Sequence, residues 1–168
     1  MSIYTTANWS AGTYGIWDIV RYPSNTNMFY YSLVDNNTST PGDSSWGGIS
    51  SFNGISKPIF VWRTNYGIVS QHEPKTLSIS FADGYEQRVV QNLNNDLLTI
   101  NTQFDLRTEK ETAAIMHFLY QRAARDSFLF TPSPPHDYQK LFVCKKFSES
   151  YLFFNNHSIS AVFEETPN

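Results

Sequence analysis

The sequence predicts a mainly β fold: a β-sandwich or open barrel with one packed α-helix, preceded by a small aromatic-rich β module. Three observations point there. The chain of 168 residues carries 13 Phe, 10 Tyr and 4 Trp, and aromatic side chains suit pleated, half-buried surfaces. Apolar and polar residues alternate with period two in several runs, whereas a helical period occurs in one. Composition also shifts near residue 50, which divides the chain into residues 1–50, a linker over 51–57 and a domain over 58–168.

The first fifty residues hold Trp9, Trp17 and Trp46, and their only charged side chains are Asp18, Arg21, Asp35 and Asp43. Strand-like pieces at 17–22 and 28–33 flank the turn residues Pro23-Ser24-Asn25-Thr26-Asn27, so a hairpin is predicted. A module this small buries little, and most of its rings are expected to form its own core. The Gly/Ser-rich stretch 47–54 reads as loop and linker. Pro58-Ile59-Phe60-Val61-Trp62 reads as a strand. Leu77, Ile79 and Phe81 alternate with serines, and Asp83-Gly84 follows as a turn. Leu98, Ile100, Thr102, Phe104 and Leu106 alternate again. Thr108-Glu109-Lys110-Glu111 then matches a capping box, opening a helix over 108–124 whose buried face is Ala114, Ile115, Phe118, Leu119 and Arg122. Strands are predicted over 127–131, 140–146 and 157–165, the first stopped by Pro132, Pro134 and Pro135.

Several function classes are excluded. The net charge is −3 and no basic stripe exists for sequence-reading contact with nucleic acid. Cys144 stands alone, so no intramolecular disulfide forms and a structural zinc site is not expected. The opening residues lack the basic and apolar regions of a signal peptide, and no run approaches the roughly 18 apolar residues that span a bilayer. The chain is thus expected to be soluble and made in a cytoplasm, without membrane insertion. The Asn-x-Ser/Thr triplets at Asn8, Asn37 and Asn156 then carry no glycosylation message.

Phe81-Ala82-Asp83-Gly84-Tyr85-Glu86-Gln87-Arg88 resembles the F-G-D-G-Y-x-Q-R signature of the lambda minor tail protein M family. Further blocks agree in order: Leu93-Asn94, the capped helix, the segment 127–132, Val143-Cys144-Lys145-Lys146-Phe147-Ser148, and a closing segment 160–165. Ala82 replaces a glycine, Phe130 stands where tryptophan is common, and the loop 133–138 differs. The resemblance implies a tail-tube-like fold over 58–168 and a structural role in the virion tail of a bacteriophage. It implies a homohexameric ring at the distal end of the tail tube that joins tube to hub and continues the DNA channel. The implied partners are further copies of the chain, the tail tube protein, the tail tip hub protein and the tape measure protein, with DNA only passing through. Its signature residues here are Phe81, Asp83, Gly84, Tyr85, Gln87 and Arg88.

The N-terminal residues are similar to the small chitin-binding modules appended to glycosidases and phage tail proteins. Trp9 to Tyr14, Trp17 to Tyr22, Phe29-Tyr30, Pro41 and Trp46 carry that likeness, and Val34-Asp35 stands where those modules place a tryptophan pair. It implies, as the alternative function, a carbohydrate-binding accessory protein with a glycan as candidate partner. Trp17 and Tyr31 are the rings expected to be exposed for it.

Nothing in the sequence asks for an enzyme. Asp83 and Glu86 are close enough to be read as a carboxylate pair for glycoside chemistry, but a turn-ordering aspartate and a solvated glutamate explain them more simply. His72, His117, His136 and His157 have no spacing of a triad or metal site, so a cell-wall hydrolase lacks its constellation and no cofactor is implied. Cys144 reads as a small buried hydrophobe. Arg88 and Arg107 are candidates for contacts between subunits, with solvated surface arginines as the plain alternative.

Overall fold

The computed structural model describes residues 6–49, 57–81, 84–90 and 96–167. The predicted linker (apart from Lys57), Asp83 and the Leu93-Asn94 pair lie outside the described residues. The architecture is mainly β with one helix, and its principal sheet curls into a half barrel.

Residues 6–49 form a three-stranded antiparallel sheet, β1 (Ile19–Arg21), β2 (Phe29–Ser32) and β3 (Trp46–Gly48), in that order. The hairpin was legible from its turn, but β3 lies where Gly47-Gly48 reads as loop. The glycines are there for a ring: Gly47 pairs with Tyr31 across the ladder. A Cβ on Gly47 would sit 2.3 Å from the Tyr31 ring, so only glycine fits beneath it.

The second sheet has the order β4-β7-β10-β9-β8, all antiparallel, from β4 (Val69–His72), β7 (Leu98–Arg107), β8 (Phe128–Phe130), β9 (Lys140–Phe153) and β10 (Asn156–Glu165). Between β4 and β7 the chain makes a separate hairpin, β5 (Thr76–Ser80) with β6 (Glu86–Val90). Period two sets the faces of β7: Leu98, Ile100, Thr102 and Phe104 are buried, while Asn101 and Gln103 are exposed. The buried face meets α1 (Glu109–Arg122). The predicted helix face is the one that is buried, with Ala114, Ile115, Phe118 and Leu119 at 0% exposure. Thr108 caps it, its side chain accepting the Glu111 amide at 3.3 Å. The reciprocal half of the box is replaced. Glu111 instead pairs with Arg107 at 2.8 Å, and the Glu109 amide donates to Asn155 at 2.9 Å, so the β9–β10 turn helps to cap the helix.

The segment predicted as a strand over 58–62 is extended but makes only an isolated parallel bridge, Ile59 with Leu129. Phe60 donates to the Leu129 carbonyl at 2.8 Å and Leu129 to that of Pro58 at 2.9 Å. This covers part of the outer edge of β8 and drives Phe60 and Trp62 inward.

The two regions share one core, which the sequence did not show. Phe29, Tyr31 and Ile49 belong to the same buried cluster as Phe60, Trp62, Phe104, Phe118 and Phe163. Phe60 lies within ring contact of Trp62, Phe104, Phe118, Phe128, Phe130 and Phe163. Arg122, 2% exposed, donates to the Ile49 carbonyl, and Lys110 pairs with Asp18 at 2.7 Å. A helix of the second region thus holds the first just before β1 and just after β3.

His117 lies at this junction, its ring packed edge-on against Phe29 with centroids 4.7 Å apart. Burial favours the neutral imidazole and pushes its pKa down to about 4. The unfolded chain therefore binds a proton that the folded chain refuses once pH falls below the ordinary histidine value of about 6.5. The stabilisation is complete above that value and is lost as pH falls towards 4, by an amount on the order of 2–3 kcal/mol. Chemical unfolding followed between pH 7 and 4 is expected to show this loss, and His117→Gln to flatten it. Equal slopes in the two proteins would remove the explanation.

Candidate assembly surface

Among the described residues the β5–β6 hairpin pairs only with itself, and each of its ladder residues is exposed. Its register separates two faces, because directly opposed residues in an antiparallel pair point the same way. Leu77 faces Val89 and Ile79 faces Gln87; the Phe81 amide donates to the Tyr85 carbonyl at 2.8 Å, and those two rings lie 6.0 Å apart. These six make one face, apolar but for Gln87 and free of charge. Thr76, Ser78, Ser80, Glu86, Arg88 and Val90 make the other. The turn returns through Gly84, at φ 76°, where an L side chain would be strained. A lone two-stranded hairpin is marginal in water, and leaving five apolar side chains between 41% and 68% exposed makes it worse. Among the described residues nothing covers that face, which marks the arm as a candidate interaction surface.

The signature residues Phe81, Gly84, Tyr85, Gln87 and Arg88 all lie on this arm. Phe81, Tyr85 and Gln87 share the apolar face, and Arg88 reaches Glu86 at 3.4 Å on the other. Glu86 accepts hydrogen bonds from Ser78 and then Arg88, which hold its carboxyl below the usual range. It serves its own hairpin as a carboxylate.

A second exposed element lies at the far end of β9. That strand continues to Phe153, whereas β8 pairs only with residues 140–142, so beyond them one edge of β9 has no neighbouring strand among the described residues. The hairpin ends in Tyr151-Leu152-Phe153-Phe154, exposed by 65%, 54%, 61% and 86%. Sequence reasoning stopped the strand at residue 146 and missed this tip. The signal was present, as an apolar run closed by the turn residues Asn155-Asn156.

The outer face of the principal sheet is polar. Gln103, Ser160 and Ser148 stand in register across β7, β10 and β9, all exposed, and Val69, Asn101, Val162 and Lys146 form the next row. Charges there are few, and among them Lys145 forms an ion pair with Glu164.

The two rings expected to face a sugar do not stand out from the surface. Tyr31 is 1% exposed, and its hydroxyl donates to the Ile59 carbonyl at 3.2 Å. Trp17 is half-buried, its ring 5.3 Å from Trp62 and 6.0 Å from Tyr31. Segment 58–62 folds over this side of the N-terminal sheet and claims both. Every aromatic ring of residues 6–49 is buried or half-buried. An uncharged cleft of about 510 Å³ remains beside β3, lined by Tyr30, Leu33, Trp46, Gly47, Pro58 and Ile59 among others.

The other candidates are absorbed by the fold. Cys144 is buried and its thiol pushed up to about 12 by desolvation. Arg107 donates to Glu111 and to the Arg63 carbonyl, which ties it within its own chain. His72 contacts Asp96 at 2.9 Å and His136 at 3.5 Å on the surface. Among the described residues no group of three or more His, Cys, Asp or Glu could hold a metal ion, and no helix is long and apolar enough to cross a membrane.

Comparison with known proteins gives the family. Residues 58–166 match the phage minor tail protein family. Tail tip protein M of Escherichia phage lambda is 31% identical over 110 residues, which is 65% of this chain and 97% of that protein. The match takes in the arm, the helix and the whole principal sheet, and begins where the N-terminal sheet has ended. The chain is a member of the phage minor tail protein family, a structural protein of the virion tail.

Proposed function

We propose that this chain forms a homohexameric ring at the distal end of the tail tube, joining the tube to the tip hub and continuing the channel through which DNA passes. The observation that carries this reading is the arm, whose apolar face has no partner among the described residues of its own chain. Two further features support it. The principal sheet has open edges on opposite sides, at β4 and along the free part of β9, and unlike edges suit the head-to-tail contacts that close a ring. Its outer face is polar with few unpaired charges, a surface that can remain wet beside a polyanion without holding it. In this arrangement the tail tube protein lies on one side of the ring, the hub on the other, and the tape measure protein within reach of the lumen. Electron microscopy of assembled tails, with the mass of the ring measured, is expected to show sixfold copies of this chain at the tip. A single copy there would overturn the reading.

A further inference from the structure

We infer that the apolar face of the β5–β6 arm of one copy seats on the β9–β10 tip of the neighbouring copy. The inference rests on the ring reading and names the contact that closes it. A ring with rotational closure is heterologous: each subunit must offer two unlike patches, and patch one of each copy meets patch two of the next. The described surface has two compact clusters of exposed large apolar side chains on projecting elements. One is Leu77, Ile79, Phe81, Tyr85 and Val89 on the arm; the other is the run Tyr151 to Phe154 on the tip. Other exposed apolar residues are scattered along the chain, apart from Ile59 and Val61 at the cleft beside β3.

The two clusters are exposed in the same chain, so they do not satisfy one another within a copy. Both are uncharged, and the arm turns Glu86 and Arg88 to its opposite face, so neither patch would bury an unpaired charge in contact. The tip is held in place from behind. Asn155 accepts the Glu109 amide at 2.9 Å, and His157 takes Glu149 at 2.9 Å with the Tyr151 ring beside it at 5.1 Å. Rigid aromatic anchors of this kind carry most of the binding energy at protein contacts. The open edge of β9 also runs up to the tip, so an arm seated there lies beside main-chain groups that need a partner strand.

Thiol linkage in assembled tails tests the contact. Cys144 is 1% exposed and stays out of the reaction. Tails built with the Val89→Cys, Leu152→Cys double variant and treated with a short bis-maleimide are expected to give a ladder of covalent multimers. Either single variant is expected to remain at the monomer position. Tyr85→Cys with Phe153→Cys provides a second pair, should the first position block assembly. Rings visible by electron microscopy with no ladder from either pair would overturn the arm-to-tip contact and leave the ring standing. Wild-type tails without a ring of this chain would overturn both.

Discussion

Trp62→Ala is expected to lower the unfolding free energy by about 3–5 kcal/mol, the usual range for truncating a large buried aromatic residue. Trp62 is 2% exposed and stands between the two regions of the chain. Tyr31 and Trp17 touch it from the N-terminal side, with centroids at 4.8 and 5.3 Å, and Phe60 and Phe118 from the other, at 5.0 and 5.8 Å. Removing the indole opens a cavity that neither side can fill without moving away from the other. Residues 6–49 then keep few contacts that could hold them folded, since a unit of that size depends on what it packs against. Trp62→Phe keeps a ring at the site and is expected to lose less, about 1–2 kcal/mol. Denaturant unfolding read by both circular dichroism and tryptophan fluorescence checks this. The wild-type chain should show one transition by both probes, with a lower midpoint in Trp62→Ala. Two wild-type transitions, with the variant shifting only one, would show that the regions are energetically separate.

Much of residues 58–168 was legible because their burial follows simple periods. The alternation over 98–104 and the 3.6-residue period after Thr108 place inward side chains that the structure buries, but the alternation breaks at Leu106, which is 72% exposed where the backbone turns to φ 57°. Tyr31 shows where that kind of reading fails. Its position in β2 was predicted, but which face of a small sheet is covered depends on what arrives from elsewhere in the chain. Here the cover is segment 58–62, and local pattern carries no record of it. Gly47 failed for a related reason: paired glycines usually punctuate loops, and only the Tyr31 ring lying across Gly47 explains a glycine within a strand.

The arm was half legible. Leu77, Ile79 and Phe81 alternate as in a strand with one buried face; the strand forms, but that face is exposed. An apolar stripe records that a surface is covered at some stage, not that the covering atoms belong to the same polypeptide. In the sequence alone the family signature is a motif without a role. Its placement on the arm gives the motif a physical meaning, since Phe81 and Tyr85 close the turn end of the apolar face and Gln87 lies opposite Ile79 on the same face. The tip of β9 supplies the complementary case, a run of four apolar residues that a buried-strand reading would have assigned to a core.

Ile79→Asp is therefore expected to abolish incorporation of the chain into tails while leaving its own fold intact. Ile79 is 41% exposed at the middle of the arm's apolar face, so a carboxylate there is solvated in the free chain, and stability should change by no more than about 0.5 kcal/mol. In a contact the same carboxylate loses water and gains no cation, because the apolar face offers none. A penalty of about 3 kcal/mol or more follows, which is over a hundredfold in association at about 1.4 kcal/mol per tenfold. Ring closure repeats that penalty at each junction. Thr76→Asp places the same charge on the opposite face of the same hairpin and should be tolerated. Purified particles examined for this chain, together with unfolding midpoints of the two variants, read both expectations. Normal tails with Ile79→Asp would show that the apolar face stays in water, and the arm would lose its role in assembly. Failure of both variants alike would instead mean that any added negative charge disables the arm, and that burial of its apolar face is not the cause.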